Sequence, residues 1–129
     1  MHMRKLVREA APWLPPVALM VLIFALSSMP GDEEDHGLLY VLSRKLAHFG
    51  EYFLLLALWW HALTTRISER RALAIGLAIV ILYAITDELH QTLVSGRAGR
   101  PLDVGIDTAG ALAAALLIAR VRIRQEVRA

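Results

Sequence analysis

The length of the uncharged stretches limits what this chain can fold into more than any other feature. Residues 10–31 contain no Asp, Glu, Lys or Arg, and these 22 residues are enough for a helix to cross a hydrocarbon core of about 30 Å. Three prolines lie in the first turns, where a missing backbone N–H costs a helix least. We therefore predict a first transmembrane helix over about 10–29.

Three further uncharged stretches are each too short to cross a membrane alone. They comprise 14 residues after Glu51, 15 after Arg71 and 12 after Asp107. Each reaches the required length of about 20 residues only by including polar neighbours. The extended spans are predicted at about 46–64, 72–91 and 104–119. Ionisable groups in a bilayer usually face a bundle interior or a wet cavity, so these polar ends predict a polar layer inside the bundle.

The composition supports a membrane protein. Hydrophobic residues make up 57% of the chain and charged residues 20%, whereas a soluble domain has about half and about a quarter respectively. High hydrophobicity and a net charge of only +2 also exclude a disordered chain. The absence of cysteine excludes disulfides and thiol chemistry. We predict an all-α integral membrane bundle of four transmembrane helices, forming one domain over 1–129, with no nucleic-acid partner.

The distribution of Lys and Arg predicts the orientation. Three lie before the first span, three between the second and third, and four after the last, whereas only four lie in the other two loops. Because cytoplasmic segments are enriched in Lys and Arg, both termini should be cytoplasmic and loops 30–45 and 92–103 should lie outside. The polar ends of the last three spans then meet at the extracytoplasmic face. The competing interpretation is a cleaved signal peptide ending near Ser27, with basic residues before it.

Helical spacing groups the polar residues at this face. Lys45, His48 and Tyr52 share one stripe, and Glu88 should pair with Gln91 or Thr92. Glycine and alanine on the last span, at 110, 111, 114 and 115, should let a neighbouring helix approach closely. The candidate reactive residues are His48, Glu51, Asp87, Glu88 and His90. The candidate ligand-binding residues are Lys45, Tyr52, Gln91, Arg97, Arg100, Asp103 and Asp107.

Such a set of side chains supports several kinds of chemistry. A histidine with a carboxylate partner can act as a base or nucleophile on a phosphoryl centre, and arginines can hold an anionic headgroup. Carboxylates with histidine could hold a divalent metal, although no compact motif such as HExxH is present. In a purely structural alternative, the cations neutralise the carboxylates and hold the helices in register. A transporter is disfavoured because the inner halves of the spans are nearly free of ionisable residues.

Five sequence blocks resemble the VanZ-like family. They are Ser27-Ser28-Met29-Pro30-Gly31, Lys45-x-x-His48-x-x-Glu51-Tyr52, Thr86-Asp87-Glu88-Leu89-His90-Gln91, Gly96-Arg97, and Asp103-Val104-x-x-Asp107-Thr108-x-Gly110-Ala111. The blocks occur in order over about residues 20–118. The family often has Asn where this chain has Asp107, so this chain carries an additional negative charge.

The resemblance implies a small multi-pass protein of the bacterial inner membrane, related to a protein linked to teicoplanin resistance. Two functional hypotheses follow from the resemblance and the polar face together. In the first, the protein binds or modifies an anionic envelope lipid or a peptidoglycan precursor. In the second, it is a non-catalytic accessory protein whose outer loops bind a partner. Membrane lipids are expected partners in both, whereas the cofactor and the oligomeric state stay open.

Overall fold

Helices account for all the regular structure that a computed structural model describes in residues 2–31 and 37–129. They are α1 (His2–Ala10), a 3₁₀ turn (Ala11–Trp13), α2 (Leu14–Ser27), α3 (Leu38–Thr64), α4 (Glu69–Gln91) and α5 (Pro101–Arg128). The prediction of an all-α fold is confirmed.

Three helical segments are long and apolar enough to cross a membrane: Met3–Ser27, Glu69–Gln91 and Pro101–Arg128. The first joins α1 and α2 through the 3₁₀ turn, where Pro12 occupies an early helical position that tolerates a missing N–H. Of the four predicted membrane helices, α3 is therefore the one that is not clearly apolar. Its 27 residues are long enough, but its first half carries charged side chains.

The position of α3 explains how it can be less apolar than the other helices. It packs against α2, α4 and α5, and its most extensive contact is with α5. Tyr52, Leu55 and Leu56 of α3 are completely buried in the core between these helices. Polar side chains on α3 can therefore face other helices instead of lipid, which is the arrangement that a bilayer favours.

The prediction that 30–45 forms an outer loop is wrong for its second half. Residues 38–45 already belong to α3, which begins after Gly37, while 32–36 lie outside the described residues. The first turns of α3 are Leu38-Leu39-Tyr40-Val41-Leu42, an apolar run that can continue a helix. Arg44 and Lys45, the two cations that directly precede the predicted span, thus lie within a helix.

Close packing of α3 on α5 depends on small residues, as the sequence predicts. Ala111, Ala114 and Ala115 are buried, and Gly110 faces the backbone of Phe49. A Cβ atom at Gly110 would overlap the Phe49 carbonyl, so only glycine permits this separation of the two helices.

The end of α2 is fastened to the loop between α4 and α5. The Gly31 N–H donates a hydrogen bond to the Ser95 carbonyl over 3.0 Å. Gly96 has a φ of 71°, a left-handed conformation that glycine adopts without steric cost, and its backbone lies against Gly31. This contact brings the first and last parts of the bundle together at the polar end.

Candidate anion-binding site

The polar ends of α2, α3, α4 and α5 meet at one end of the bundle. Lys45 Nζ of α3 lies 2.9 Å from Asp103 Oδ1 of α5, and both side chains are about one-third exposed. One turn deeper, His48 Nδ1 lies 3.3 Å from Asp107 Oδ1. One salt bridge and one histidine–carboxylate contact therefore join α3 to α5, and the deeper contact includes a completely buried carboxylate.

Asp87 lies in a second buried group, between α2 and α4. Its Oδ2 accepts a hydrogen bond from Ser27 Oγ at 2.8 Å and a longer one from Gln91 Nε2 at 3.4 Å. Ser27 was not among the candidate site residues, although it lies in the first block of the family resemblance. A serine at the end of an apolar helix gives no sequence signal for its partner on another helix.

His90 is held against α2. Its Nε2 is 2.9 Å from Ser28 Oγ, and its ring stacks on Phe24 with centroids 4.5 Å apart. Because the Ser28 hydroxyl donates to the Phe24 carbonyl, His90 Nε2 is the donor in its contact with Ser28. The structure thus places His90 in a packing role beside α2.

Glu88 does not pair with Gln91 or Thr92, and that expectation is wrong. Its Oε1 accepts a hydrogen bond from the backbone N–H of Arg100, the residue that precedes α5. Glu88 is buried, so it satisfies a backbone donor at the start of the next helix. Helix-face spacing within α4 could not reveal a partner that comes from the following loop.

A cavity of about 320 Å³ opens between the ends of α3, α4 and α5 and the loop that joins α4 to α5. Its charged and ionisable lining residues are Arg44, Lys45, His48, Arg97, Arg100 and Asp103. Among the lining residues that the structure describes, four fixed cations face one carboxylate, and Lys45 already pairs with that carboxylate. Among the described residues, Arg44 and Arg100 form no ion pair, so the cavity has a cationic lining.

Arg97 serves both the cavity and the fold. Its Nε donates to the Met29 carbonyl at 2.8 Å and its Nη2 donates to the Leu26 carbonyl at 3.2 Å. The Leu26 carbonyl lies in the last turn of α2, where it also accepts from the Met29 N–H, and the Met29 carbonyl follows the helix. Partial burial lowers the pKa of Arg97 from its ordinary value, but arginine remains protonated at neutral pH. Its charge is thus fixed beside the cavity.

A second cavity, of about 200 Å³, lies between α2 and α3. Ile23, Leu26, Met29 and Ala47 give it an apolar wall, and Glu51 also lines it. We call it the α2–α3 groove. It shares three residues with the cationic cavity, namely Arg44, His48 and Arg97. An apolar space and a cationic space therefore adjoin at one place, and His48 lines both.

Several buried oxygens near these cavities have no hydrogen-bond partner among the described residues. They include the Tyr52 hydroxyl, one oxygen each of Asp87 and Glu88, and both carboxylate oxygens of Asp107. His48 Nδ1 and Asp107 Oδ1 therefore lie close together without meeting hydrogen-bond geometry. Buried polar atoms are usually hydrogen-bonded, so these atoms mark Asp107 and Tyr52 as functional candidates.

A divalent metal finds little support in this arrangement. Within residues 2–31 and 37–129, no three histidine or acidic side chains are grouped closely enough to hold a metal ion. The acidic candidates instead contact different parts of the fold. Asp87 contacts α2, Asp103 and Asp107 contact α3, and Glu88 contacts the residue that precedes α5. Anion binding by the cationic lining is therefore the chemistry that the geometry favours.

Comparison with known proteins gives the chain a family. No curated protein and no solved structure matches it. A sequence profile of the VanZ/LLP1 family, however, matches residues 13–122. This range includes α2, α3, α4 and both cavities, as well as most of α5. The apolar helices and the profile together describe a multi-pass membrane protein that belongs to the VanZ/LLP1 family.

Proposed function

We propose that this protein binds an anionic lipid of the cell envelope, with the headgroup in the cationic cavity and the hydrocarbon tail in the α2–α3 groove. The observation that carries this proposal is the cavity of about 320 Å³ lined by four fixed cations and one carboxylate. An excess of positive charge at the mouth of a membrane bundle attracts a negatively charged ligand.

The types of cation favour a phosphate or a carboxylate as the anionic group. Three of the four are arginines, whose planar guanidinium offers parallel N–H donors that match two oxygens of such a group. Arg44 and Arg100 have no ion pair within the described part of the chain, and both line the cavity. Arg97 is already oriented by the α2 carbonyls and needs little reordering.

The groove favours a lipid over a soluble anion. It adjoins the cationic cavity, has an apolar wall of Ile23, Leu26 and Met29, and lies between two helices. A headgroup in the cavity can therefore continue into a tail that leaves between α2 and α3. A soluble phosphate would use the cavity and leave the groove without a role.

The envelope setting rests on the charge distribution and on the family resemblance. The excess of Lys and Arg in the termini and the middle loop supports an extracytoplasmic position for the cavity, and the family resemblance supports a bacterial inner membrane. A lipid-linked peptidoglycan precursor carries a phosphate next to a long hydrocarbon chain, so it fits the two spaces. A role in teicoplanin resistance would follow if such a precursor were bound or modified here.

The proposal is tested by lipid binding to the purified full chain. In native mass spectrometry from detergent, the protein should retain phosphatidic acid and a synthetic polyprenyl phosphate but not phosphatidylcholine. Arg44→Gln with Arg100→Gln should weaken binding about 10- to 100-fold, because a charge-assisted hydrogen bond contributes about 1.5–3 kcal/mol. Arg70→Gln, an exposed arginine at the other end of the bundle, is the matched control.

Three results would contradict the proposal. Equal retention of phosphatidylcholine and phosphatidic acid would show that the cations do not select the headgroup. Equal affinity of the double variant and of Arg70→Gln would show that binding occurs elsewhere. Competition by inorganic phosphate alone, without any lipid complex, would assign the cavity to a soluble anion.

A structural role for the polar layer is the second candidate. The observation that favours it is that several candidates have structural partners: Lys45 pairs with Asp103, Glu88 accepts from the Arg100 backbone, and Arg97 binds the end of α2. The protein would then be an accessory protein that binds a partner through its outer loops. In that case Lys45→Arg and Asp103→Glu should preserve function, and no anionic lipid should be retained.

A further inference from the structure

His48 lies at the junction of the two cavities. It lines both the cationic cavity and the α2–α3 groove, and its side chain is 22% exposed. The ring is not uniformly accessible, because Nδ1 is buried and lies 3.3 Å from Asp107 Oδ1. The exposed part of the side chain therefore excludes Nδ1, which leaves the other nitrogen, Nε2, as the one that a ligand can reach.

Asp107 determines which nitrogen of His48 carries the proton. A carboxylate is an acceptor, so it favours the tautomer with the proton on Nδ1 and leaves a lone pair on Nε2. Asp107 is completely buried, and neither of its carboxylate oxygens has a hydrogen-bond partner among the described residues, so His48 Nδ1 at 3.3 Å is the polar atom that the structure places beside it. The pair thus resembles the carboxylate–histidine arrangements that orient a catalytic imidazole and stabilise its charged form.

Glu51 lies one helical turn from His48, on the groove side. It is half-buried and lines the groove but not the cationic cavity. A lipid placed as proposed above would have its terminal phosphorus near His48 and the oxygen that joins this phosphorus to the rest of the lipid near the groove. Glu51 is therefore placed toward that bridging oxygen.

We propose that the protein hydrolyses the terminal phosphate of a lipid phosphate or diphosphate, with His48 as nucleophile and Glu51 as acid and base. This inference rests on the proposed lipid binding and adds a reaction to it. Asp107 is a positioning residue, which acts on the substrate only through His48. The substrate class is a phosphomonoester or diphosphate of a long-chain alcohol.

In the first step, the lone pair of His48 Nε2 attacks phosphorus, and the bond from phosphorus to the bridging oxygen breaks. The protonated Glu51 carboxyl gives its proton to that oxygen, and the lipid alcohol or lipid monophosphate leaves. In the second step, a water molecule gives a proton to Glu51 while its oxygen attacks the phosphorus on His48. The phosphorus–nitrogen bond breaks, inorganic phosphate is released, and His48 and Glu51 return to their initial states.

The cations supply the electrostatic part of the reaction. Arg44 and Arg97 line both spaces and so flank the position of the transferred phosphoryl group. Phosphoryl transfer depends chiefly on positioning and on stabilisation of charge at the phosphate oxygens, which fixed guanidinium groups provide. Partial exclusion of water by the α2–α3 contact strengthens these interactions.

The test measures binding and turnover separately on the purified full chain. A synthetic polyprenyl diphosphate and phosphatidic acid are the probes, with native mass spectrometry for binding and a colorimetric assay for released inorganic phosphate. His48→Gln should retain the lipid and release no phosphate. Asp107→Asn should lower kcat about 10²- to 10⁴-fold, the range for loss of positioned acid–base catalysis, with KM changed less than about threefold. His61→Gln, an exposed histidine far along α3, is the matched control and should match wild type.

The outcomes distinguish the two proposals. Phosphate release by wild type, abolished in His48→Gln with lipid binding intact, supports hydrolysis. Lipid binding without release above the His48→Gln level overturns hydrolysis and leaves lipid binding standing, whereas failure to bind either lipid overturns both. If Asp107→Asn loses thermal stability and raises KM while kcat is kept, Asp107 is structural and its positioning role is wrong.

Discussion

Gly110→Ala is expected to separate α3 from α5 and to destabilise the bundle. The added Cβ would overlap the carbonyl of Phe49, which is backbone and cannot move aside as a flexible side chain can. Overpacking of this kind costs about 1–3 kcal/mol. The same change also stabilises the helix by about 1 kcal/mol, because alanine has a higher helix propensity than glycine. The stability of this variant alone would therefore underestimate the cost of the clash.

Gly105→Ala on the same helix provides the matched control. Nothing lies within 4 Å of a Cβ at this exposed glycine, so the variant gains the propensity and meets no obstacle. The difference between the two variants isolates the clash, and we expect about 1–3 kcal/mol with Gly110→Ala the less stable. The measurement is the free energy of unfolding in mixed detergent micelles, followed by far-ultraviolet circular dichroism.

The same perturbation has a second readout at the site. The contacts of Lys45 with Asp103 and of His48 with Asp107 both lie on the α3–α5 interface that Gly110→Ala would open. Gly110→Ala should therefore also weaken lipid retention, whereas Gly105→Ala should not. Equal stability of the two variants would refute the argument that backbone contact at Gly110 sets the distance between these helices.

Two further predictions concern the buried group on α2 and the orientation. Ser27→Ala should lower the free energy of unfolding by about 1–2 kcal/mol, because Asp87 Oδ2 loses its 2.8 Å hydrogen-bond donor. Ser43→Ala, at an exposed serine, is the control. Equal stability of the two variants would contradict the prediction. Because the chain has no cysteine, Ser95→Cys and Ser68→Cys can be labelled individually in intact cells. A membrane-impermeant maleimide should label Ser95→Cys and not Ser68→Cys, and the reverse pattern would invert the predicted topology.

The architecture of the polar end follows from features that a single sequence displays. Uncharged stretches too short to span alone identified the polar ends of three helices, and the alternation of Lys and Arg indicated that these ends lie on one side. The contacts of Lys45 with Asp103 and of His48 with Asp107 agree with that expectation. The two contacts are one helical turn apart on both helices. Lys45 and His48 are three residues apart on α3, and Asp103 and Asp107 are four residues apart on α5, so each pair of side chains lies on one face of its helix.

The residues that the sequence did not identify take partners from other helices or loops. In the sequence, Arg44 indicates only the orientation of the chain in the membrane. In the structure it lines both cavities, because α3 begins at Leu38 and places it within the helix. Ser27 binds Asp87 across 60 positions of sequence, and Glu88 binds the backbone of Arg100. Hydrophobic periodicity reports which face of a helix is apolar, but it does not specify which helix will face it.

The pairing of α3 with α5 has a consequence for the order in which the protein is made. Lys45 meets Asp103 across 58 positions, and α4 must be inserted between them. During synthesis α3 therefore enters the membrane before the carboxylates that neutralise its cations exist. A nascent chain that ends before Pro101 holds those charges unpaired. Release of α5 from the ribosome is thus the event that completes the contacts between α3 and α5.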